Sequence, residues 1–307
     1  MDRLDAMMTL LAAVEGGSLS AASRKLGMPL PTVSRKVSEL ETHLRTRLVK
    51  RTTRSLTLTD AGRSYIVACK RILEDLEEAE RAAAGEYTAP RGDLIITAPI
   101  VFGRLHVLHV VTDFLKAYPD INVRLVLADR VVNLLEDGID LAVRIGELPD
   151  SSLMATRVGS IGPVVCASKT YFKLHGVPKT PDDLAAHVCV TSDGLASPTA
   201  WTFSVGGARV SVNVRSRLVV NTAEAAIDAA VASVGITRVL SYQVEAALRA
   251  GEVTLVLRDF EPAAWPVNLV YMGQGLLPLK VRAFLDYAAP RLRSQLSRLF
   301  GQRQLDK

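Results

Sequence analysis

The chain has 307 residues, 49% of them hydrophobic and 22% charged, which is typical of a globular protein with room for two or three domains. It has no apolar run of about 18 residues and no basic-then-apolar N-terminal segment, so we expect neither a membrane span nor a signal peptide. Three scattered cysteines are too few for a disulfide framework or a zinc cluster, and a reducing cytoplasm is the expected location. A pI near 9.2 permits nucleic-acid binding.

The N-terminal residues carry an apolar pattern at helical spacing that ends at Gly16-Gly17. Ser18 is a suitable N-cap for a short helix over residues 18–26, and Gly27 supplies a tight turn. A second helix is predicted over Pro31–Leu44, because proline is tolerated in a first turn. Its apolar residues share one face and are Val33, Val37, Leu40 and Leu44. This arrangement predicts a helix-turn-helix whose second helix leaves its opposite face for the major groove.

Residues 47–58 predict two short strands around a basic turn, since β-branched residues alternate with leucine at the end of this segment. Between residues 20 and 58, nine lysines and arginines stand against two acids, a surplus larger than the +5 of the whole chain. This hairpin, called the wing below, would place guanidinium groups on DNA phosphates or in the minor groove. Taken alone it could be an ordinary solvated hairpin, but its position after the helix pair favours DNA binding.

A long helix is predicted from Asp60 to about Ala84, with Thr59-Asp60 as its cap. One narrow apolar seam follows heptad-like spacing and consists of Tyr65, Cys69, Ile72, Leu76, Ala79 and Ala83. Such a seam favours a partner helix. The alternative is a helix packed on its own domain. Gly85 and Pro90-Arg91-Gly92 then mark a boundary.

From Asp93 onward, strands and helices alternate, which predicts a mostly parallel sheet with helices on its faces. The predicted elements are strands over residues 94–97, 123–127, 141–145, 201–205 and 210–214, and helices over 99–117, 131–136, 222–232 and 280–299. A second unit begins near Gly162, and the chain returns to the first unit near residues 266–271.

Several stretches together resemble the LysR-type transcriptional regulators. They are Ala21-Ala22-Ser23-Arg24-Lys25-Leu26-Gly27, Pro31–Glu41, Leu48–Arg54, Leu56-Thr57-Leu58-Thr59-Asp60-Ala61-Gly62, Phe102-Gly103-Arg104-Leu105, Phe114–Pro119, Asp140–Gly146 and Leu279–Leu285. The resemblance covers essentially the whole chain. It implies an α/β fold class: an all-α-rich N-terminal winged helix-turn-helix, then a C-terminal α/β region of two subdomains like periplasmic binding proteins. The implied boundaries are 1–59, a linker helix over 60–89 that pairs subunits, and 90–307, with subdomain I at 90–161 and 268–307 and subdomain II at 162–267.

The same resemblance implies which residues contact DNA, namely Ser23, Pro31, Thr32, Ser34, Arg35, Lys36, Arg51, Thr53 and Arg54. Arg35 is the best candidate for a bidentate base contact, whereas Lys36, Arg51 and Arg54 suit phosphates. Double-stranded DNA, a small-molecule effector and a second copy of the chain, as homodimer or homotetramer, are the implied partners. RNA polymerase is a further candidate partner. No cofactor, metal or membrane partner and no enzymatic activity are expected.

Ligands of doubly wound sheets bind at the carboxyl ends of strands, beside helix N-termini that favour anions. Two such ends are predicted, at Thr97-Ala98-Pro99-Ile100 and at Asn221-Thr222. The resemblance adds Asp129, Arg144 and the loop Ser197-Pro198-Thr199. A carboxylate held by backbone N–H groups and by the hydroxyls of Thr97, Thr199 and Thr222 is the hypothesis for the effector. The alternative is that each threonine only caps its helix.

Other signals are weaker. His106 and His109 are three residues apart on a predicted helix, but no third metal ligand accompanies them, which favours ordinary core or surface histidines. Cys166 and Cys189 lie among valines and are interpreted as buried structural thiols. A solute-binding or transferase-like protein with a basic N-terminal domain, and a purely architectural DNA-binding protein, are the alternative functions.

Overall fold

The structure, a computed structural model, describes residues 2–51, 56–83, 89–130, 132–148, 152–192, 199–273 and 277–305. The N-terminal domain and the helix that follows it consist of α1 (Arg3–Glu15), α2 (Leu19–Leu26), α3 (Leu30–Leu44), β1 (Val49–Arg51), β2 (Leu56–Leu58) and α4 (Asp60–Ala83). The predicted helix-turn-helix, wing strands and long helix are therefore all confirmed. None of the described helices is long and apolar enough to cross a membrane.

Local hydrogen bonds explain where the first helices begin and end. The Ser18 hydroxyl accepts a hydrogen bond from Ala21 N at 3.1 Å and caps α2, as predicted. Gly27 ends α2 in the left-handed conformation at φ 63°, which glycine adopts without strain. Pro29 opens α3 without a side-chain cap, and Pro31 stands in its first turn.

The wing is attached to the domain by hydrogen bonds from both sides. The Glu41 carboxylate on α3 accepts from Leu48 N at 2.8 Å and Val49 N at 3.0 Å. The Thr59 hydroxyl donates to Arg47 O and accepts from Gly62 N, so it joins the wing to the first turn of α4. A Cβ at Gly62 would overlap the Leu48 carbonyl oxygen, so this close approach requires glycine.

The C-terminal region contains two mixed sheets and flanking helices. Its elements are β3 (Gly92–Ala98), α5 (Ile100–Phe102), a π-helical segment (Gly103–Val107), α6 (Leu108–Ala117), β4 (Ile121–Leu127), β5 (Leu141–Ile145), β6 (Leu153–Ile161), β7 (Pro163–Ser168), α7 (Lys169–His175), a 3₁₀ helix (Pro181–Ala186), β8 (Val188–Ser192), β9 (Ala200–Val205), β10 (Ala208–Asn213), β11 (Arg215–Val220), α8 (Ala223–Val231), β12 (Ile236–Leu240), α9 (Glu245–Arg249), β13 (Val253–Val256), a 3₁₀ helix (Arg258–Phe260), β14 (Trp265–Met272) and α10 (Leu279–Leu305).

Both sheets are mixed: most of their strands run in one direction, as predicted, but half of the strand pairings are antiparallel. The first sheet has the order β4-β3-β5-β14-β6 and the second β11-β8-β12-β7-β13. In each sheet four strands run in one direction, and the fifth, β14 in the first sheet and β7 in the second, is antiparallel to both of its neighbours. In the first sheet β14 returns from near the end of the chain and lies between β5 and β6, a long-range pairing that local alternation does not reveal. The β9–β10 hairpin packs separately on the second sheet through Trp201 and Phe203.

The helix predicted over Val131–Glu136 is absent from the described part of this segment, and Val131 lies outside the described residues. The Asn133 side chain instead accepts hydrogen bonds from Leu135 N and Glu136 N, which forms a local turn that competes with a helix. Gly138 completes the turn at φ 62°. The side chains of Val132, Leu134 and Ile139 cover one face of the first sheet, and α6 and α10 cover the other.

Candidate DNA interface and effector site

The outward face of α3 carries the candidate base-reading residues. The Arg35 side chain is 69% exposed, and its only ion pair among the described residues is a loose one with Glu39 at 4.0 Å. Thr32 is half-buried and Pro31 is exposed, both in the first turn, where a major-groove helix meets base edges. Ser34 is half-buried one residue before Arg35. The guanidinium of Arg35 is therefore free to turn to an incoming base pair.

Lys36 does not share this position, which corrects the expectation that it contacts phosphate. Its side chain is 19% exposed and forms an ion pair with Asp5 of α1, and its Nζ also lies 3.3 Å from Met28 Sδ. The physical reason is that Lys36 is turned towards α1, where a carboxylate is present to neutralise it. The Ser23 hydroxyl is likewise committed, because it donates to Met28 O at 2.6 Å and holds the turn between α2 and α3.

The wing presents a further cation. Lys50 is exposed on β1 opposite Thr57, and none of the described acids pairs with it. Arg51 is the last residue of β1, but its side chain lies outside the described residues, as do Thr53 and Arg54. Lys50 was not selected from the sequence. Its place on a strand beside the basic turn was the signal that would have found it.

The seam of α4 is divided between two roles. Cys69 is fully buried and Tyr65 packs into the N-terminal core with Ile66, so the first half of the seam covers the chain's own domain. Cys69 was predicted to contact a second copy of the chain. Its side chain is fully buried on the side of α4 that faces α1, so a second copy does not reach it. Burial also raises the pKa of Cys69 and raises that of Tyr65 to about 12. Ile72 and Ala79 are exposed and Leu76 is half-buried, so this later half remains open to a partner helix.

The opposite face of α4 contacts the C-terminal region, which sequence reasoning missed. Lys280 Nζ at the start of α10 donates to Glu74 Oε2 at 2.6 Å and to the Asp93 carbonyl at 2.6 Å. Arg71 Nη1 lies 3.4 Å from Met272 Sδ, and a Cβ at Gly138 would overlap the Val67 side chain. Val67, Arg71 and Glu74 are four and three residues apart and therefore share one face of α4. This spacing was the available signal in the sequence.

The first predicted strand end already holds an anion of its own. Ile100 N donates to Asp129 Oδ1 at 3.0 Å, so the Asp129 carboxylate occupies the N-terminus of α5 beyond Pro99. The Thr97 hydroxyl donates to Val126 O at 2.9 Å and the side chain is fully buried. Thr97 therefore supports the sheet and does not offer its hydroxyl proton to a ligand, contrary to expectation.

Arg144 lies near the carboxyl end of β5, on the same edge of the first sheet. Its guanidinium is half-buried and donates to Val132 O at 3.3 Å, and burial lowers its pKa. None of the ion pairs formed by the described residues includes it. The Arg144 guanidinium is therefore available to pair with an acidic group.

The second predicted strand end lies at the start of α8. The Thr222 hydroxyl accepts a hydrogen bond from Ala225 N at 3.3 Å and caps this helix, and Asn221 beside it is exposed. Capping uses the lone pair of the hydroxyl and leaves its proton available. Capping, the alternative considered for each threonine, is thus observed for Thr222.

Thr199 is not brought to this edge, and Ser197 lies outside the described residues. The Thr199 carbonyl accepts from Val214 N at 2.8 Å, and Val214 directly precedes β11. β11 starts at Arg215, which pairs with Val188 at the start of the parallel strand β8. Thr222 follows the other end of β11, roughly 20 Å away at about 3.3 Å per residue.

Tyr242 joins the two strand ends and was missed by sequence reasoning. It is buried, and its ring packs edge-on against Phe102 with centroids 5.4 Å apart. Burial raises its pKa, and the carboxylates of Asp129 and Glu224 raise it further. Because Asp129 lies beside α5 and Glu224 in the first turn of α8, Tyr242 marks the junction between the two sheets. Its position two residues after an apolar strand was the available signal.

His106, Cys166 and Cys189 are core residues. The His106 ring packs against Phe102 and Tyr242, and burial lowers its pKa to about 4. Cys166 and Cys189 are fully buried, which confirms their interpretation, and burial raises the pKa of each to about 12. The described residues contain no group of three or more side chains placed to hold a metal ion.

Comparison with known families divides the chain in two. Residues 4–63 match the helix-turn-helix family of bacterial LysR regulatory proteins, and residues 88–293 match the LysR substrate-binding domain. A transcriptional repressor of Pseudomonas aeruginosa is 35% identical over 94% of this chain and 91% of its own. The transcriptional activator AaeR of Escherichia coli is 31% identical over 93% of each chain.

Solved structures agree over nearly the full length. CrgA of Neisseria meningitidis has 28% identity and a TM-score of 0.60, covering 94% of this chain and 98% of its own. The virulence activator AphB of Vibrio cholerae has 27% identity and a TM-score of 0.59, covering 93% and 98%. LysG of Corynebacterium glutamicum, solved with bound effector Arg, shares the fold at 20% identity and a TM-score of 0.62, covering 96% and 99%. This chain belongs to the LysR family and is a LysR-type transcriptional regulator, a DNA-binding protein that responds to a small-molecule effector.

Proposed function

We propose that α3 reads the operator through Arg35, with Thr32 and Ser34 beside it, while Lys50 and the wing arginines Arg51 and Arg54 contact phosphates. The exposed guanidinium of Arg35 carries this proposal, because the face opposite it is fixed in the core by Val33, Val37 and Leu40. A bidentate arginine–guanine pair discriminates between bases, whereas phosphate contacts position the protein.

The proposed working unit is a homodimer or homotetramer in which the later half of the α4 seam pairs two copies. Ile72, Leu76 and Ala79 supply that surface, because Tyr65 already packs on the N-terminal domain and Cys69 is fully buried. We take residues 1–59 as the DNA-binding domain, 60–89 as the linker and 90–307 as the effector region. We propose that the protein works in the cytoplasm, where its DNA partner is, and that RNA polymerase is its protein partner.

The effector is proposed to bind at the junction marked by Tyr242. Arg144, Asn221 and Thr222 border it, as do the α5 N-terminus and the Asp129 carboxylate that occupies it. Binding would shift one sheet unit against the other, and the contacts of α4 with the first sheet would pass this shift to the DNA-binding domains.

A mobility shift assay with the protein and the DNA upstream of its own gene tests the DNA-binding proposal. Arg35→Ala is expected to weaken binding about tenfold to a hundredfold, since a good bidentate base contact contributes about 1–3 kcal/mol. Lys116→Ala, which removes an exposed charge from α6, should leave the affinity unchanged. Equal affinity of wild type and Arg35→Ala for the operator would refute the assigned role of α3.

A further inference from the structure

Arg238 on β12 is a buried cation for which the described residues supply no counter-ion. It is 8% exposed, and its Nε is fully enclosed and has no hydrogen-bond partner. Among the described side chains, the charged group that acts on it is another cation, Arg209, and burial together with this repulsion lowers the pKa of Arg238 to about 10. Burial of an unpaired charge is unfavourable, and arginines in protein interiors normally pair with carboxylates.

The position of Arg238 follows from strand pairing. It lies opposite Val165 of β7, and directly paired residues share one face of a sheet. Val165 belongs to the same core cluster as Trp201 and Phe203 of the β9–β10 hairpin. Arg238 therefore lies between the second sheet and this hairpin, whose second strand supplies Arg209 next to the hairpin turn.

This place adjoins the junction between the sheets. Leu240 is two residues further along β12 on the same face, and it packs into the core of the first sheet together with Tyr242. β12 runs parallel to β8, and β8 to β11, so the end of β12 lies at the sheet edge where Asn221 and Thr222 follow β11. Arg238 is two residues before the end of β12, so its backbone lies roughly 7 Å from this edge.

The other candidate position for an anion, the N-terminus of α5 beside the first sheet, is already occupied. Ile100 N already donates to the Asp129 carboxylate, so a ligand's acidic group would have to displace a residue of the chain there. By contrast, no group in the described part of the chain accepts a hydrogen bond from the Nε of Arg238.

We infer that Arg238, assisted by Arg209, binds the acidic group of the effector, which is therefore an oxyanion such as a carboxylate or a phosphate. This inference rests on effector binding at the junction as proposed above, and adds the charge of the ligand and the residue that neutralises it. Because the charge of Arg209 acts unfavourably on Arg238, a ligand group that carries more than one negative charge would suit the two guanidinium groups.

Thermal unfolding of the full-length protein in sodium phosphate or sodium succinate, with sodium chloride at equal ionic strength as reference, tests the inference. For the wild type, at least one oxyanion should raise Tm above the chloride value in a saturable manner. Arg238→Met should weaken this response at least about tenfold, since a charge-assisted pair is lost. Its Tm in chloride should not fall below that of the wild type, because an unpaired buried charge is removed.

Two further variants distinguish a loss of oxyanion binding from a general effect of removing an arginine. Arg209→Gln changes an exposed residue and should reduce the response without loss of structure. Arg249→Met removes an exposed guanidinium of α9 that already pairs with Glu245, and should respond as the wild type does. A wild type that responds to neither oxyanion, or an Arg238→Met variant with the wild-type response, would overturn the inference.

A mobility shift assay in chloride distinguishes this failure from failure of the proposed function. If the wild type binds its operator but no oxyanion response depends on Arg238, the charge assignment alone is wrong. If the wild type does not bind DNA while the oxyanion response disappears in Arg238→Met, the DNA-binding proposal fails and the site stands.

Discussion

At the residue scale, Arg35 and Lys36 show how adjacent basic residues acquire different roles. Successive residues of a helix point about 100° apart, so one turns outward and the other turns to Asp5. Lys36→Met is expected to lower the free energy of unfolding by about 1–2 kcal/mol, because Asp5 loses a charged partner. Operator affinity should change far less than in Arg35→Ala. Urea unfolding and mobility shift assays together check this, and a large loss of affinity at unchanged stability would contradict it.

His106 gives a pH dependence with a defined sign. Burial holds its pKa near 4 in the folded protein, against about 6.5 in an unfolded chain. The stabilising contribution of the neutral ring is therefore complete above pH 6.5 and is lost as the pH falls towards 4. This loss amounts to about 3 kcal/mol in total.

Urea unfolding between pH 7 and 4 measures this contribution. His106→Phe, which keeps a ring beside Phe102 and Tyr242, should reduce the pH dependence, whereas His43→Gln on the exposed surface of α3 should not. The same pH dependence in wild type and His106→Phe would show that the loss arises elsewhere.

At the element scale, the wing is held in place by the carboxylate of Glu41, one of only two acids in the basic segment of residues 20–58. Glu41→Ala leaves the buried N–H groups of Leu48 and Val49 without their acceptor, so a loss of about 2–3 kcal/mol is expected. Operator affinity should fall as well, since the wing loses its attachment to α3. Glu39→Ala, on the exposed side of the helix, is the stability control and should stay within about 0.5 kcal/mol. Equal stability of the two variants would exclude this role.

Elements with strong local signals could be predicted from the sequence, and those fixed by distant partners could not. The caps of α2, the apolar stripe of α3 and the seam of α4 are local patterns, and each gave the correct helix. The strands β6, β8, β11, β12 and β13 were missed, because each is completed by neighbours distant in the chain or lacks a regular alternation. The helix predicted at 131–136 failed because Asn133 forms a turn with its own side chain.

The candidate site divides in the same way. The strand ends pointed to Ile100 and Thr222 and the resemblance to Asp129, and in the structure all three lie at helix N-termini after parallel strands; their contact with an effector stays a prediction. Thr97 and Thr199 were misassigned, because one hydroxyl is used within the sheet and the other residue lies at the opposite edge. Sequence alone gives no sign that Arg238 lacks a counter-ion, since that is a property of the assembled core.

At the scale of the whole molecule, α4 is the element that contacts both the N-terminal domain and the first sheet. Its first half packs on the N-terminal domain through Tyr65 and Ile66, and its opposite face contacts the first sheet. Its later seam remains open for a second copy. A movement of the first sheet must therefore displace α4, and with it the DNA-binding domain, unless these contacts break.

The Glu74–Lys280 ion pair is the strongest of these contacts, since Lys280 is nearly buried and the two groups lie 2.6 Å apart. Lys280 also contacts the Asp93 carbonyl and lies 3.9 Å from Asp140, so the first sheet keeps its own partners when Glu74 is changed. Glu74→Gln should therefore loosen α4 without unfolding the C-terminal region. Amide hydrogen exchange of α4 around residue 74 should become about fivefold faster, which corresponds to about 1 kcal/mol. Glu77→Gln, exposed one turn further along, is the matched control, and equal exchange in the two variants would show that α4 is held to the first sheet by other contacts.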